Sequence, residues 1–365
     1  MSAPARRFAV AGGGTGGHVV PALALAERIR AGGHDVILIG STRGLESRLV
    51  PKAGFELATL PAGQVMGRGL AARASAAVAI ARGTLAAARL LRQRRIEIVL
   101  SVGGYASVPS VLAAAALRIP VALVEPNAQP GRANRLAASF ARRIFVHFEE
   151  AAKRLGGGTR VQVLGVPLRE ALVRAFAAAP PRRAAEPPVH LLIFGGSQGA
   201  RQLNDLMLNL APRLDPALFE IFHQTGEADR ERVAEGYAAT KLRAEVVPFE
   251  PDMPRRYREA DLALCRSGAM TVAELAMAGL PALLVPYPHA ADDHQRANAQ
   301  ALSAAGAAVL LPAKLDRDAV LGMLESLASQ PEQLRAMSAA ASKLARPDAA
   351  ERIVESCLEL LGGGN

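Results

Sequence analysis

The stretch Val10-Ala11-Gly12-Gly13-Gly14-Thr15-Gly16-Gly17-His18 decides the fold of this chain. It continues an apolar run, residues 8–11, that reads as a buried strand. It leads into residues 19–30, where Leu23, Ala26 and Ile29 recur at helical spacing. Strand, glycine loop, helix is an arrangement through which a backbone approaches a phosphate. Glycines remove the Cβ atoms that would meet the ligand, and the unbonded N–H groups at the helix start attract the anion.

The same alternation extends on both sides of that loop. Apolar runs at residues 36–39, 96–102, 121–124, 144–147 and 161–164 predict further strands, and residues 44–52, 70–95, 109–117 and 132–140 predict helices between them. Residues 177–188 hold four prolines and read as a loop or linker. The pattern then restarts with a strand at 189–194, the glycine loop Gly195-Gly196-Ser197-Gln198-Gly199 and a helix at 201–214. More strands are expected at 219–223, 244–247, 261–265, 282–285 and 307–310, with a last helix near 349–361. The reading is α/β: two doubly wound parallel sheets, each opened by strand, glycine loop and helix, facing each other across a cleft.

Composition agrees. A chain of 365 residues is too long for one typical core. Half of it is hydrophobic, yet aromatics are only 4% and Trp is absent, so the core is built of Ala, Leu and Val, as suits parallel sheets under helices. The two cysteines, Cys265 and Cys357, argue against a disulfide framework and fit a reducing cytoplasm. No signal peptide is expected ahead of the first strand, and no apolar run is long enough for a transmembrane helix. The formal net charge of +10 suits anionic partners, whether nucleic acid, a phosphorylated ligand or an anionic lipid surface, or reflects an Arg-rich proteome.

Single motifs leave alternatives open. Gly12, Gly14 and Gly17 satisfy the dinucleotide fingerprint, and Ser41-Thr42-Arg43 at the tip of the second strand would greet a ribose phosphate, which reads as an NADP-dependent oxidoreductase. Residues 195–199 also match a serine nucleophile elbow, with Ser197 as nucleophile and His223, His289 or His294 and Asp292 as triad partners. Arg266 is placed to oppose a phosphate, and Glu274, one turn inside the next helix, to accept both hydroxyls of a ribose or merely to complement the helix dipole. Asp292, Asp293, Asp316 and Asp318 read as helix starts, and no metal site is expected. Residues 57–96 carry Arg68, Arg73, Arg82, Arg89, Arg92, Arg94 and Arg95 without one acid. There Val78, Arg82, Leu85 and Arg89 share a helix face suited to an anionic membrane surface, or to plain solvation.

Taken in order, residues 13–18, Gly103-Gly104-Tyr105, Glu125-Pro126-Asn127, Gly195–Ala200 and Arg266–Thr271 resemble the MurG family of peptidoglycan glycosyltransferases over nearly the whole chain. The resemblance implies the GT-B fold of two Rossmann-like domains. It divides the chain into residues 1–164 on the acceptor and membrane side, 165–344 on the UDP-GlcNAc donor side, and a last helix, 345–365, returning to the first domain. It implies inverting transfer of N-acetylglucosamine from UDP-GlcNAc to the C4 hydroxyl of lipid I, giving lipid II, by a protein peripheral to the cytoplasmic face of the inner membrane. Cell-wall and division proteins are further partners in that picture; nucleic acid and a cofactor are not. The family's frequent His-Glu-Gln-Asn segment reads Val124-Glu125-Pro126-Asn127 here.

By the same resemblance, Arg169 and Ser197 with Gln198 face the diphosphate. Ala269, Met270, Thr271, Val272, Ala273 and Glu274 hold the uridine ribose and phosphate, Gln295 and then Asn298 contact the sugar, and the backbone near Glu250 meets the uracil edge. Thr15, Gly16, Gly17 and Asn127 come from the first domain. His18 is the first choice for general base, as an imidazole neutral at working pH behind the glycine loop; Glu125 is the second, as base or as a group binding the acceptor.

Overall fold

The computed structural model describes residues 4–42, 44–61, 70–177 and 186–362, with residues 70–74 as helical backbone alone. Arg43, Arg68 and most of the proline-rich run therefore lie outside the described residues, as does the side chain of Arg73. Contacts divide the chain into two units, Met1–Ala171 with Arg346–Asn365, and Leu172–Ala345.

The first unit is a parallel sheet of β1 (Arg7–Gly12), β2 (Asp35–Gly40), β3 (Leu57–Thr59), β4 (Ile98–Gly103), β5 (Val121–Glu125), β6 (Arg143–Val146) and β7 (Val161–Val163), in the order β3-β2-β1-β4-β5-β6-β7. Side chains alternate across a strand. Phe8 and Val10 therefore enter one core layer with Leu23, Ile29 and Leu100, while Ala9 and Ala11 enter the other with Leu91, Val99 and Leu123. The helix Leu70–Gln93 adds Ala87 and Leu91 to that second layer and packs against the helix Val108–Ala116. The last helix, Ala349–Gly362, places Ile353, Val354 and Cys357 in the first layer, and Arg143 donates to Ser356 Oγ at 2.7 Å.

The second unit holds β8 (Val189–Phe194), β9 (Phe219–Gln224), β10 (Arg243–Val247), β11 (Leu262–Cys265), β12 (Ala282–Leu284) and β13 (Ala308–Leu310), all parallel, in the order β10-β9-β8-β11-β12-β13. Both strand orders reverse beside the strand that carries the glycine loop, between β1 and β4 and between β8 and β11. Ligand crevices form outside the carboxyl ends of strands at such points.

Two differences from the sequence reading have local causes. β3 was not expected: it is a three-residue edge strand whose side chains are only half buried, so its hydrophobic signal is weak. The strand expected from residue 96 begins at Ile98, because Arg95 turns left-handed (φ 49°) and Ile96 N–H donates to Leu91 O at 2.9 Å, closing the preceding helix first.

Candidate active site

In the first unit, Thr15 has extended backbone and starts the helix Gly16–Ala31. Its carbonyl accepts from the His18 and Val19 N–H groups, both at 3.1 Å, and its hydroxyl lies 3.1 Å from His18 Nδ1. The loop after β4 comes against it. A Cβ on Gly103 would stand 3.0 Å from His18 Cδ2, and one on Gly104 would stand 2.3 Å from Gly13 O. Only glycine permits that approach, and both residues have positive φ, 104° and 81°.

A residue that sequence reasoning passed over organises this loop. Glu46 is 1% exposed. Its Oε2 accepts from Gly14 N–H at 2.8 Å, while Oε1 accepts from Ser41 N–H at 2.9 Å and Ser41 Oγ at 2.7 Å. Burial acts to raise the carboxyl's pKa, but these hydrogen bonds outweigh it and hold it below the usual range. The first glycine loop, read as a phosphate cradle, thus already holds an anion, supplied by the chain itself. The position at Ser41 that the NADP reading reserves for a ribose phosphate is filled by Glu46. The signal available in the sequence was an acid at the start of the helix after the tip of the second strand.

Glu125 is equally enclosed, at 1% exposure. Oε1 accepts from Asn127 N–H (2.8 Å) and Asn127 Nδ2 (3.2 Å); Oε2 accepts from Gly131 N–H (3.1 Å) and Asn134 Nδ2 (2.8 Å). Burial lifts its pKa to about 6 against these donors. A carboxylate with both oxygens so occupied clamps the loop after β5, which disfavours the role of base. Arg169, expected on the donor side, belongs to the first unit, where its Nη2 pairs with Glu27 Oε1 at 2.6 Å.

In the second unit, the loop after β8 interlocks with the turn after β9. A Cβ on Gly199 would lie 1.8 Å from Thr225 O, and one on Gly226 would lie 2.1 Å from Gln198 O. Gln224 Nε2 donates to Gly196 O at 2.9 Å. Ser197 and Gln198 stay exposed at the carboxyl end of β8. The nucleophile-elbow alternative would need His223, His289 or His294 as a base for Ser197. His223 is buried with Nδ1 on Tyr237 Oη and Nε2 on Asn204 Oδ1, both 3.0 Å, and burial pushes its pKa down to about 3. His294 Nδ1 is 2.7 Å from Ala291 O.

Across the switch point, the helix Ala269–Ala278 begins at Gly268 with no side-chain cap, so its first N–H groups can receive an anion. Ala269, Val272 and Ala273 are buried, Met270 and Thr271 half-buried. Ser267 Oγ donates to Gln295 O (2.8 Å), buried Asn298 Nδ2 donates to Ser267 O (3.1 Å), and Gln295 Oε1 accepts from Tyr287 N–H (2.9 Å). Asn298 therefore supports the loop from beneath. Arg266, placed by the sequence to oppose a phosphate, is 8% exposed and its Nη1 donates to Gln202 Oε1 (2.9 Å) and to the Val285 and Pro286 carbonyls (both 3.1 Å). Those acceptors tie the loops after β11 and β12 together.

Glu274 is half-buried and accepts from Tyr257 Oη at 2.7 Å. Burial raises its pKa to about 7, and the tyrosine's hydrogen bond works the other way. Glu250 Oε1 accepts from Asp252 N–H and Oε2 from Arg256 Nε, both at 2.7 Å; Arg256 also pairs with Glu245 (2.7 Å) and Glu259 (3.2 Å) and stacks 3.7 Å above the Phe222 ring. Sequence reasoning missed Tyr257 and Arg256, because nothing in spacing shows which arginine or tyrosine turns inward. Asp316, as expected, caps its helix, accepting from Asp318 N–H (2.9 Å) and Ala319 N–H (3.2 Å).

On the helix Leu70–Gln93, Val78 and Leu85 are 58% and 63% exposed beside exposed Arg82 and Arg89. Among the described residues no helix is long and apolar enough to cross a membrane, and no three His, Cys, Asp or Glu side chains gather as a metal site.

Comparison with known proteins places this geometry. Residues 8–146 match the glycosyltransferase family 28 N-terminal domain, and residues 190–353 match the glycosyltransferase family 28 C-terminal domain. A Methylococcus capsulatus protein named UDP-N-acetylglucosamine–N-acetylmuramyl-(pentapeptide) pyrophosphoryl-undecaprenol N-acetylglucosamine transferase is 43% identical, covering 98% of this chain and 99% of its own. A Geobacter metallireducens protein of the same name is 40% identical over 96% and 98%. The crystal structure of Acinetobacter baumannii MurG superposes with a TM-score of 0.81 at 31% identity, covering 98% of this chain and 100% of that one. A UDP-GlcNAc 2-epimerase from Neisseria meningitidis shares the fold alone, at a TM-score of 0.68 and 15% identity.

Proposed function

Because the chain belongs to the MurG family within glycosyltransferase family 28 and has its GT-B fold, we propose the following account of its chemistry. It is an N-acetylglucosaminyltransferase that moves N-acetylglucosamine from UDP-GlcNAc to the C4 hydroxyl of lipid I and yields lipid II, in peptidoglycan synthesis. The observation that carries the donor assignment is the pairing, at one switch point, of an exposed glycine turn with an uncapped helix start and an inward glutamate one turn along.

In the donor site, main-chain N–H groups at Ser197–Gly199 and at Ala269–Thr271 receive the diphosphate. As the anomeric C–O bond breaks, charge builds on the leaving UDP, and fixed N–H dipoles stabilise it without reorganisation. Glu274 accepts the ribose hydroxyls while Tyr257 holds its second oxygen. The Glu250 loop, pinned by Arg256, presents backbone to the uracil edge. Gln295 turns its amide N–H toward the sugar. Arg169 serves the diphosphate by exchanging Glu27 for it.

On the acceptor side, Thr15, Gly16, Gly17 and Asn127 bind, and His18 takes the proton from the C4 hydroxyl as that oxygen attacks the anomeric carbon with inversion. If His18 Nδ1–H donates to Thr15 Oγ1, the basic lone pair lies on Nε2. Glu125 acts by fixing Asn127. The exposed face with Val78, Arg82, Leu85 and Arg89 seats the protein on the anionic cytoplasmic surface of the inner membrane, where its lipid substrate resides.

The test is transfer of labelled N-acetylglucosamine to a lipid I analogue, with His18→Gln measured beside the unaltered protein. Turnover falls by at least ~10²-fold at unchanged donor KM, since a general base contributes about 10²–10⁴-fold. A normal turnover for the variant removes His18 as base. A thermal shift with NADPH but none with UDP-GlcNAc removes the transferase reading.

A further inference from the structure

We propose that the first unit carries an anion site for a phosphoryl group at the amino ends of β4 and β5, the opposite end of the sheet from the Thr15–His18 loop. A cavity of about 480 Å³ opens there. Leu91, Leu117 and Ile119 form its apolar floor, and Arg92, Arg95 and Arg118 stand at its rim. All three arginines are exposed, and among the described residues no carboxylate pairs with any of them. The neighbouring Arg94 is different, since it is bonded to Glu56.

The backbone supplies the second observation. Two helices end at this cavity, Leu70–Gln93 and Val108–Ala116, and they end alike. Arg95 N–H donates to Arg92 O and Ile96 N–H to Leu91 O; Arg118 N–H donates to Ala115 O and Ile119 N–H to Ala114 O. This doubled closure puts the residue after the helix in the left-handed region, at φ 49° for Arg95 and 58° for Arg118. Elsewhere the same closure is made by glycine, at Gly33, Gly54, Gly279 and Gly306. An L side chain is strained in that conformation and glycine is not. The chain thus keeps a strained arginine at two helix ends, and those two border one cavity. Compensation of the helix dipole does not explain the choice at Arg95, because Arg92 and Arg94 already lie in or beside the last turn of that helix; at Arg118 it contributes, since the second helix has no basic residue in its last turn.

Three guanidiniums around an apolar floor fit a phosphate monoester or diester that carries an apolar stem. Guanidinium N–H groups meet phosphate oxygens in pairs, and the floor takes the carbon skeleton. Two sources share that chemistry, a free phosphate and a lipid headgroup. Arg92 continues the exposed stripe of Arg82, Leu85 and Arg89 along the same helix, so a headgroup is within the site's reach. The proposal concerns binding alone and does not depend on the transferase reading.

The experiment uses the full chain and the double variant Arg95→Gly, Arg118→Gly, with Arg82 and Arg89 intact. Glycine relieves the strain, so the melting temperature of the variant equals or exceeds that of the unaltered protein. Isothermal titration with inorganic phosphate and flotation with phosphatidylglycerol against phosphatidylcholine vesicles are read side by side. In one arm or the other, affinity drops roughly tenfold or more, because each charged hydrogen bond lost is worth about that factor. Loss in the phosphate arm identifies a soluble ligand, and loss in the phosphatidylglycerol arm alone identifies a headgroup. If the variant binds both as the unaltered protein does, or if neither binds the unaltered protein, the site does not exist. A single Arg118→Gly variant gives the same readout should the double variant fail to express.

Discussion

Replacing Glu46 tests whether the first glycine loop is held by an internal anion. In Glu46→Ala, Gly14 N–H, Ser41 N–H and Ser41 Oγ lose an acceptor that is 1% exposed. A hydrogen bond to a charged group is worth about 1.5–3 kcal/mol, and an orphaned buried donor costs about 1–3 kcal/mol. Gly14 is exposed, so water replaces that partner, whereas Ser41 is half-buried. The net loss is therefore about 3 kcal/mol, short of the sum of three full bonds. Glu46→Gln is no mild change, because one amide oxygen serves the Ser41 side and the NH2 then faces the Gly14 N–H, donor against donor. About 1–2 kcal/mol is lost there. Urea unfolding at pH 7 reads the stability. The pH dependence is specific: Glu46's folded pKa lies below the ordinary glutamate value, so its contribution is present above that ordinary value and is lost as pH falls through the folded one. The gap between the unaltered protein and Glu46→Gln narrows below that ordinary value. Function follows the loop. Acceptor kcat/KM falls as Thr15 and His18 lose their position, while donor KM stays. In Glu46→Ala, acetate or formate refills the vacated carboxylate position and restores part of the acceptor rate. A Gln variant within ~0.5 kcal/mol of the unaltered protein, with normal acceptor kinetics, would refute the reasoning.

Donor binding should weaken as pH falls through about 7, where Glu274 takes up a proton and ceases to accept both ribose hydroxyls. Titration of UDP in buffers of different ionisation enthalpy should then show proton release near pH 7, and its absence counts against the ribose assignment. Tyr257→Phe removes the hydroxyl that favours the ionised carboxylate, so it should raise donor KM by roughly tenfold and move the acid limb to higher pH; a structural role alone would leave the limb in place. Arg256→Ala frees Glu245, Glu250 and Glu259 at once and should cost about 2–3 kcal/mol of stability while raising donor KM, measured by thermal shift and initial rates. Glu at both Arg82 and Arg89 should lower flotation with anionic vesicles while turnover of a water-soluble acceptor analogue stays unchanged.

What the sequence determined by itself was the fold class and the loops. Strand, glycine turn and helix are local patterns, so Val10–His18 and Phe194–Leu210 announced both sheets, and the order of five loops announced the family. The first strand and the last helix around Ile353 were legible for the same reason, since hydrophobic periodicity is written along the chain, whereas the return of that helix to the first domain was implied by the family resemblance alone. The tertiary structure alone decided which polar side chains serve the loops and which the ligand. Glu46, Glu125, Arg266 and Asn298 look as exposed as any neighbour in a string of letters, yet each is buried; Glu46, Arg266 and Asn298 meet backbone groups brought from elsewhere in the chain, and Glu125 meets those of the loop that follows it. An N–H or carbonyl removed from water must find a partner, and which partner it finds depends on the crossing of strands that lie far apart in the chain. For that reason the cradle at Gly14 could be read, but the carboxylate already lying in it could not.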